Sequence, residues 1–294
     1  MTERPLAYAV ITPVRNEADN LRRLATCLAA QSVRPSCWIL VDTGSTDGTL
    51  ELADQLAAEQ EWISLVVQSG TGSTERGGPI VRAFETGVTH LGSGPDIVVK
   101  LDADISMGSR YFERLLDAFI EQPTLGIASG YALELEDGEW RPRHNTGASV
   151  WGAARAYRAG CLEDVRPLEE QMGWDGIDEL KARVRGWTTA TLADLPFRHH
   201  RAEGARDGSA WKAWVARGRA SHYMGYRSWY LLARTLHHAR SDRAALGMIW
   251  GYANGVVRRR PMCADAEVRG RLRQEQSLRH LRTRRREAVG ASGR

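Results

Sequence analysis

Short apolar runs separated by helix-length segments recur through the first hundred residues, and no other feature narrows the fold as far. The runs are Ala7–Pro13, Trp38–Val41, Ile63–Val67 and a fourth that opens at Ile97. Between them, Glu17–Gln31 places Leu21, Leu24, Ala25 and Leu28 at helical spacing, and Leu50–Ala58 and Ile80–His90 also read as helices. Strands alternating with helices predict a parallel sheet of βαβ units, an α/β class.

The fourth run, Ile-Val-Val-Lys-Leu, has the character of a buried strand and ends abruptly in Asp102-Ala103-Asp104. Alternate side chains of a strand share a face, so Asp102 and Asp104 converge beyond its carboxyl end, where open α/β sheets bind ligands. Read as lacking a cationic neighbour in sequence, the two carboxylates would repel each other. A hard divalent cation, Mn2+ or Mg2+, bridging them to a diphosphate resolves the conflict. Solvated turns also carry Asp-x-Asp, so the pair draws its weight from what precedes it. Asp42 ends the second strand and opens a turn rich in Gly, Ser and Thr. Thr46 or Asp47 there reads as a helix N-cap. Asp42 faces the same crevice as Asp102, where a carboxylate can accept an imide N–H from a nucleotide base.

The length of 294 residues allows one large α/β domain, or one domain with an appendage. Hydrophobic content of 43% with 26% charged residues reads as globular. Cys27, Cys37, Cys161 and Cys263 show no metal-ligand spacing and are expected as reduced thiols of a cytosolic protein. No signal-peptide core follows Met1, and no 18 consecutive apolar residues occur, so a spanning helix is not expected. The net charge of +4 hides an asymmetry: residues 206–294 hold 20 Lys and Arg against 6 Asp and Glu, and the first 205 hold 20 against 30.

Past Asp104 the alternation weakens. Ile127–Leu135 reads as a strand, His144–Gly152 as a loop or short strand, and Asp175–Val184 as a helix. Thr188–Leu192 reads as a strand leading to the cluster Phe197-Arg198-His199-His200-Arg201. From about Gly208 the pattern is helical, with Trp211, Trp214, Tyr223, Tyr226, Trp229 and Tyr230 interleaved with Arg217, Arg219, Arg227 and Arg234. That mixture suits nucleic acid or a helix lying at a membrane interface, and also plain core packing beneath a solvated basic face. The Arg-dense close, Arg269–Arg286, has the same set of readings.

Three segments in order, Ile11-Thr12-Pro13-Val14-Arg15-Asn16-Glu17, Val41-Asp42-Thr43-Gly44-Ser45-Thr46-Asp47-Gly48-Thr49 and Leu101-Asp102-Ala103-Asp104, resemble the family 2 glycosyltransferases of GT-A fold. Many members have two successive Asp where this chain has Asp42-Thr43. The resemblance covers residues 7–205 and implies a GT-A catalytic domain over 1–205, followed by a basic, aromatic helical region over 206–294. It implies that Thr12, Pro13, Arg15 and Glu17 line a nucleoside pocket, with Asp42 on the base. Gly78–Gly87 then matches a Gly-rich helix start whose amides and dipole favour an anion, with Arg82 approaching the diphosphate; a solvated helix charge is the plain alternative for Arg82. Asp102, Ala103 and Asp104 would hold ribose and metal, and His199 or His200 would complete the metal shell. Arg201 could help neutralise the diphosphate.

The segment Gly173–Arg183 resembles the family's acidic motif, which supplies the base. Asp178 or Asp175 is expected in that role, with Glu179 third, and the spacing leaves the choice open. First-turn acids also serve as dipole partners. The implied activity is inverting, metal-dependent transfer from a nucleotide-sugar, UDP-linked by expectation, to a saccharide or lipid-linked acceptor. Its setting would be envelope or exopolysaccharide assembly at the cytoplasmic membrane face. Two other classes fit less well. A dinucleotide oxidoreductase needs Gly-x-Gly-x-x-Gly after the first strand, where this chain has Pro13-Val14-Arg15-Asn16. A non-catalytic nucleic-acid binder leaves Asp102 and Asp104 without a purpose, so no nucleic-acid partner is expected.

Overall fold

The computed structural model describes residues 5–68, 77–92, 94–143, 149–201 and 209–278. The chain begins β1 (Tyr8–Val14), α1 (Ala18–Ala29), β2 (Cys37–Asp42), α2 (Thr49–Glu59), β3 (Ile63–Val67), α3 (Gly78–Thr89) and β4 (Ile97–Leu101). It continues with β5 (Ile105–Met107), α4 (Tyr111–Glu121), β6 (Leu125–Glu136), β7 (Glu139–Pro142), β8 (Ala154–Arg158) and α5 (Ala159–Val165). Then follow α6 (Trp174–Val184), β9 (Thr188–His199), α7 (Ala210–Tyr223), α8 (Ser228–His238), α9 (Gly247–Val257) and α10 (Ala266–Glu275). Most of the Gly-rich loop before α3, the start of the segment expected at His144–Gly152 and the end of the Arg-dense close lie outside the described residues.

The strands form one sheet in the order β3-β2-β1-β4-β8-β6-β9-β5, with β7 on β6. β1 pairs in parallel with both β2 and β4, so the chain winds outward to β3 and then returns to the opposite side of β1. That reversal puts a crevice beyond the carboxyl ends of β1 and β4. β8 joins β4 antiparallel, and β5 joins β9 antiparallel, which makes the sheet mixed.

The parallel strands are apolar throughout because both faces are covered. Val10, Leu40 and Val99 face one core with Leu21, Leu24, Leu28, Phe112 and Phe119 of α1 and α4. Ile11, Ile39, Val41 and Val98 face the other with Val81 and Phe84 of α3, Tyr157, Leu162 and Trp174. The order in sequence is therefore a three-layer packing of helices on both sides of a sheet.

α3 opens at Gly77, whose φ of +96° and contact with the backbone of Gln171 leave no room for a Cβ. This brings the start of α3 against the loop that leads into α6. The C-terminal helices pack on α6 in turn: Ile177 and Leu180 share an apolar cluster with Met224, Cys263, Val268 and Leu272. α7 and α9 cross almost backbone to backbone, since a Cβ on Gly218 or Gly251 would collide with the carbonyl of Met248 or Val215.

Candidate active site

Asp102 sits one residue past β4, its amide donating to Ala153 O at 2.7 Å. Its carboxylate is paired with Lys100, whose side chain is buried and whose ammonium also donates to Gly152 O at 2.9 Å. The expectation that the acidic pair lacks a cation in sequence is thereby corrected. Lys100 and Asp102 are two residues apart on an extended chain, so they leave the strand on the same face. The sequence contained that signal.

Asp104 is flanked by two more cations. Its Oδ1 lies 3.5 Å from His199 Nε2 and its Oδ2 3.5 Å from the Arg201 guanidinium. Arg201 also forms a bidentate pair with Glu17 at 2.8 and 2.7 Å, tying the end of β9 to the loop after β1. Behind His199 stands Glu134, 3.6 Å from Nδ1 and paired with Arg143 at 2.7 Å. Register explains the grouping, because His199 is opposite Ile105 on β5 and opposite Glu134 on β6. Four acids and four cations thus alternate through the crevice. Burial pushes Asp104 up, but His199 and then Arg201 and Lys100 outweigh it and hold the carboxyl below its ordinary value. For Asp102 burial wins over Lys100, and the pKa is raised. Burial opposes charge on His199 as well, yet Asp104 and its neighbours raise that pKa.

Among the described residues, no group of three or more His, Cys, Asp or Glu side chains is arranged as a metal cage. Three buried atoms in a row nevertheless lack a hydrogen-bond partner there: Asp104 Oδ1, His199 Nδ1 and Glu134 Oε1. An orphaned carboxylate oxygen beside an imidazole nitrogen is a donor set that suits Mn2+, and Mg2+ in phosphate sites is held by only one or two protein carboxylates. His200 differs from its neighbour. Its Nε2 is 2.7 Å from Ser106 Oγ and its ring meets Trp140 edge-on.

At the other side of the crevice, Asp42 is buried and both its oxygens are engaged by its own turn. They accept from Gly44 N at 2.9 Å, Ser45 N at 3.1 Å and the Ser45 hydroxyl. Thr12 is fully buried and receives Trp38 Nε1 at 2.9 Å, while Pro13 and Arg15 are partly exposed. Asn16, at φ +56°, clasps the turn after β2 by accepting Thr46 N at 2.8 Å. Asp47 receives Thr49 N and Oγ1 at the first residue of α2, but the N-cap is Gly48 and not Thr46 or Asp47, because the turn needs the positive φ that glycine adopts freely. Arg82 pairs with Glu170 at 2.7 Å, and Gly78 stands at the start of the same helix. A depression of about 320 Å³ beside Arg82, Glu85 and Arg166 includes none of the acidic cluster.

The three acids of α6 have different surroundings. Arg155, without solvent exposure, holds Asp178 at 2.7 Å and Glu179 at 2.9 Å; Tyr157 OH donates to Asp178, and Val150 N to Glu179 at 2.8 Å. Burial pushes Asp178 up to about 7 and raises Glu179 also, with Arg155 pulling both back. Asp175, in the first turn, remains partly exposed and accepts Gly176 N at 3.0 Å. A Cβ on Gly152 would lie 3.5 Å from Asp175 Oδ2, so this carboxylate is beside the residue whose carbonyl holds Lys100. Trp174 spans the same gap, its ring 5.8 Å from Lys100 Nζ and 5.5 Å from Arg155.

Lys100, Glu134 and Arg155 were not singled out from sequence. The first was readable from strand spacing; the other two depend on pairings between distant strands.

The model of Glycosyl transferase family 2 matches residues 9–170. The succinoglycan biosynthesis protein ExoA of Rhizobium meliloti is 26% identical over 191 residues, covering 56% of this chain and 52% of the relative. The polyprenol monophosphomannose synthase of Mycolicibacterium smegmatis is 35% identical over 135 residues, covering 44% and 46%. The chain thus spans about half the length of these curated relatives. Among solved structures, the mannosyltransferase PcManGT from Pyrobaculum calidifontis in complex with GDP-Man and Mn2+ superposes with a TM-score of 0.59 at 17% identity, covering 99% of this chain and 87% of that one. That likeness establishes the GT-A glycosyltransferase fold expected from the sequence.

Proposed function

Since the chain belongs to glycosyl transferase family 2, we propose that it moves a sugar from a nucleotide-sugar to a hydroxyl of a saccharide or lipid-linked acceptor in polysaccharide or cell-envelope assembly. The observation that carries the reading is the crevice at the β1/β4 reversal, where Asp102 pairs with Lys100 and Asp104 lies between His199 and Arg201. The Pyrobaculum complex holds a guanosine donor and a related GalNAc-T7 structure holds UDP with Mn2+, so uridine and guanosine sugars are the first to test. Asp104 and His199 would hold Mn2+ or Mg2+, with Asp102 alongside, and the ion would stabilise charge on the departing diphosphate.

The chain's own residues divide the remaining work. Arg201 exchanges carboxylate partners for phosphate oxygens, as a guanidinium does readily. Lys100 keeps Asp102 oriented. Asp175 is the base: it is the one acid of α6 that is partly exposed, and it neighbours Gly152 at the edge of the cluster. The acceptor oxygen bonds to the anomeric carbon as the bond to the diphosphate breaks, and its proton passes to Asp175. Displacement from the face opposite the leaving group inverts the centre. Asp178 and Glu179 instead hold α6 on β8 through Arg155.

The test is release of nucleoside diphosphate from a panel of UDP-, GDP-, dTDP- and CMP-sugars with Mn2+ and mixed lipid and saccharide acceptors. Asp175→Asn should lower turnover by about 100-fold while the donor still binds. No turnover with any donor, or full activity in that variant, would contradict the assignment.

A further inference from the structure

Among the described C-terminal helices, α9 carries an exposed apolar stripe that runs directly into three consecutive exposed arginines. Its inner side, Gly247, Met248, Gly251 and Gly255, is buried. On its outer side Leu246, Trp250, Ala253 and Val257 recur at intervals of four, three and four, which is one helix face. Leu246 is 46% exposed, Trp250 61% and Val257 81%. The helix ends directly in Arg258, Arg259 and Arg260, all exposed and joined by no ion pair to any described residue. Arg259 has φ +48°, the left-handed helix-terminating conformation that glycine adopts freely, so a guanidinium stands where the backbone favours a residue without Cβ.

We propose that the outer face of α9 and the Arg258–Arg260 turn form a docking surface for an anionic lipid bilayer. An apolar stripe containing Trp, capped by Arg, matches the two layers such a surface offers: acyl chains just below the headgroups, and negative phosphates above them. Other occupants fit the chemistry less well. A second copy packed antiparallel about a two-fold axis would cover the stripe but bring no negative charge to Arg258–Arg260. Nucleic acid would satisfy the arginines and leave Leu246, Trp250 and Val257 in water. No helix among the described residues is long and apolar enough to cross a membrane, and α9 has 11 residues, so it would lie in the interface. The proposal deepens the lipid-linked acceptor reading by naming the surface that meets the lipid.

Flotation of the full chain with phosphatidylcholine vesicles, with and without phosphatidylglycerol, tests this without any donor, so its failure and that of glycosyl transfer are separable. The chain should float with the anionic vesicles, and binding should fall as salt rises. Trp250→Ser/Val257→Ser should weaken binding at least about tenfold, and Arg258→Ser/Arg259→Ser/Arg260→Ser about 100-fold. Thermal melts of both variants should match wild type, because every altered side chain is exposed. Absence of binding to anionic vesicles, equal binding to neutral ones, or unchanged binding of both variants would overturn the proposal. A concentration-dependent dimer lost in the Trp250 variant, without vesicle binding, would assign the face to a second copy instead.

Discussion

Lys100 and Arg155 are buried cations that serve two different carboxylate sets. Lys100 leaves Asp102 partly exposed toward the crevice, its side chain 29% accessible, whereas Arg155 closes Asp178 and Glu179 away from solvent. That contrast separates a group available to a ligand from groups committed to structure. It also gives a pH signature. Asp178 titrates near 7 in the folded chain, raised by burial from an ordinary 3.8. The folded state then binds more protons than the unfolded state between those values, so the stability this group contributes is present below about 4 and lost as pH rises through about 7. The stability deficit of Asp178→Asn, measured by urea denaturation, should shrink by about 1–2 kcal/mol between pH 5 and pH 7.5. A deficit that grows over that range would mean Arg155 holds the carboxylate charged. At this scale sequence carried part: Glu17 and Asp104 meet through Arg201, whereas Asp42 is buried with both oxygens held by its own turn. It could not separate Asp175 from Asp178, since first-turn acids look alike until the buried Arg155 is placed opposite one of them.

Among elements, β1 to β4 and α1 to α3 were legible because parallel strands buried on both faces make unbroken apolar runs, with amphipathic helices between them. β5 has three residues and offers no period at all. β9 was read only as far as Leu192, because Asp194-Leu195-Pro196 looks like a break. In the sheet that stretch is an irregularity in the pairing with β6, after which the strand resumes through His199. The histidine read as following the strand is therefore its last residue, which fixes it beside Asp104. α4 was overlooked, although Tyr111, Phe112, Leu115, Leu116 and Phe119 repeat with helical spacing. The C-terminal helices depend on glycine at their crossing. Gly251→Ala should destabilise the chain by about 1–3 kcal/mol, because the added methyl meets the Val215 carbonyl. Gly270→Ala on α10, with open space around it, should stabilise by about 0.5–1 kcal/mol. Melting both variants checks the pair, and a Gly251→Ala chain as stable as wild type would refute the crossing.

For the molecule as a whole, the acidic first part and the basic last part are not arranged as two independent bodies side by side. α10 shares a core with α6, and Arg183 joins Glu275 at 2.9 Å while also holding Glu179 at 2.8 Å. The helical region is thus braced against the helix that carries Asp175. Composition revealed the charge asymmetry; only the packing reveals that connection. The central claim is that Asp104, with its neighbouring cations, receives the diphosphate of an activated sugar. Calorimetric titration of the donor identified by turnover, with and without Mn2+, into wild type and Asp104→Asn addresses it most directly. Wild type should bind more tightly with Mn2+, and the variant should fold normally yet lose that Mn2+-dependent gain. An undiminished gain in Asp104→Asn would contradict the account.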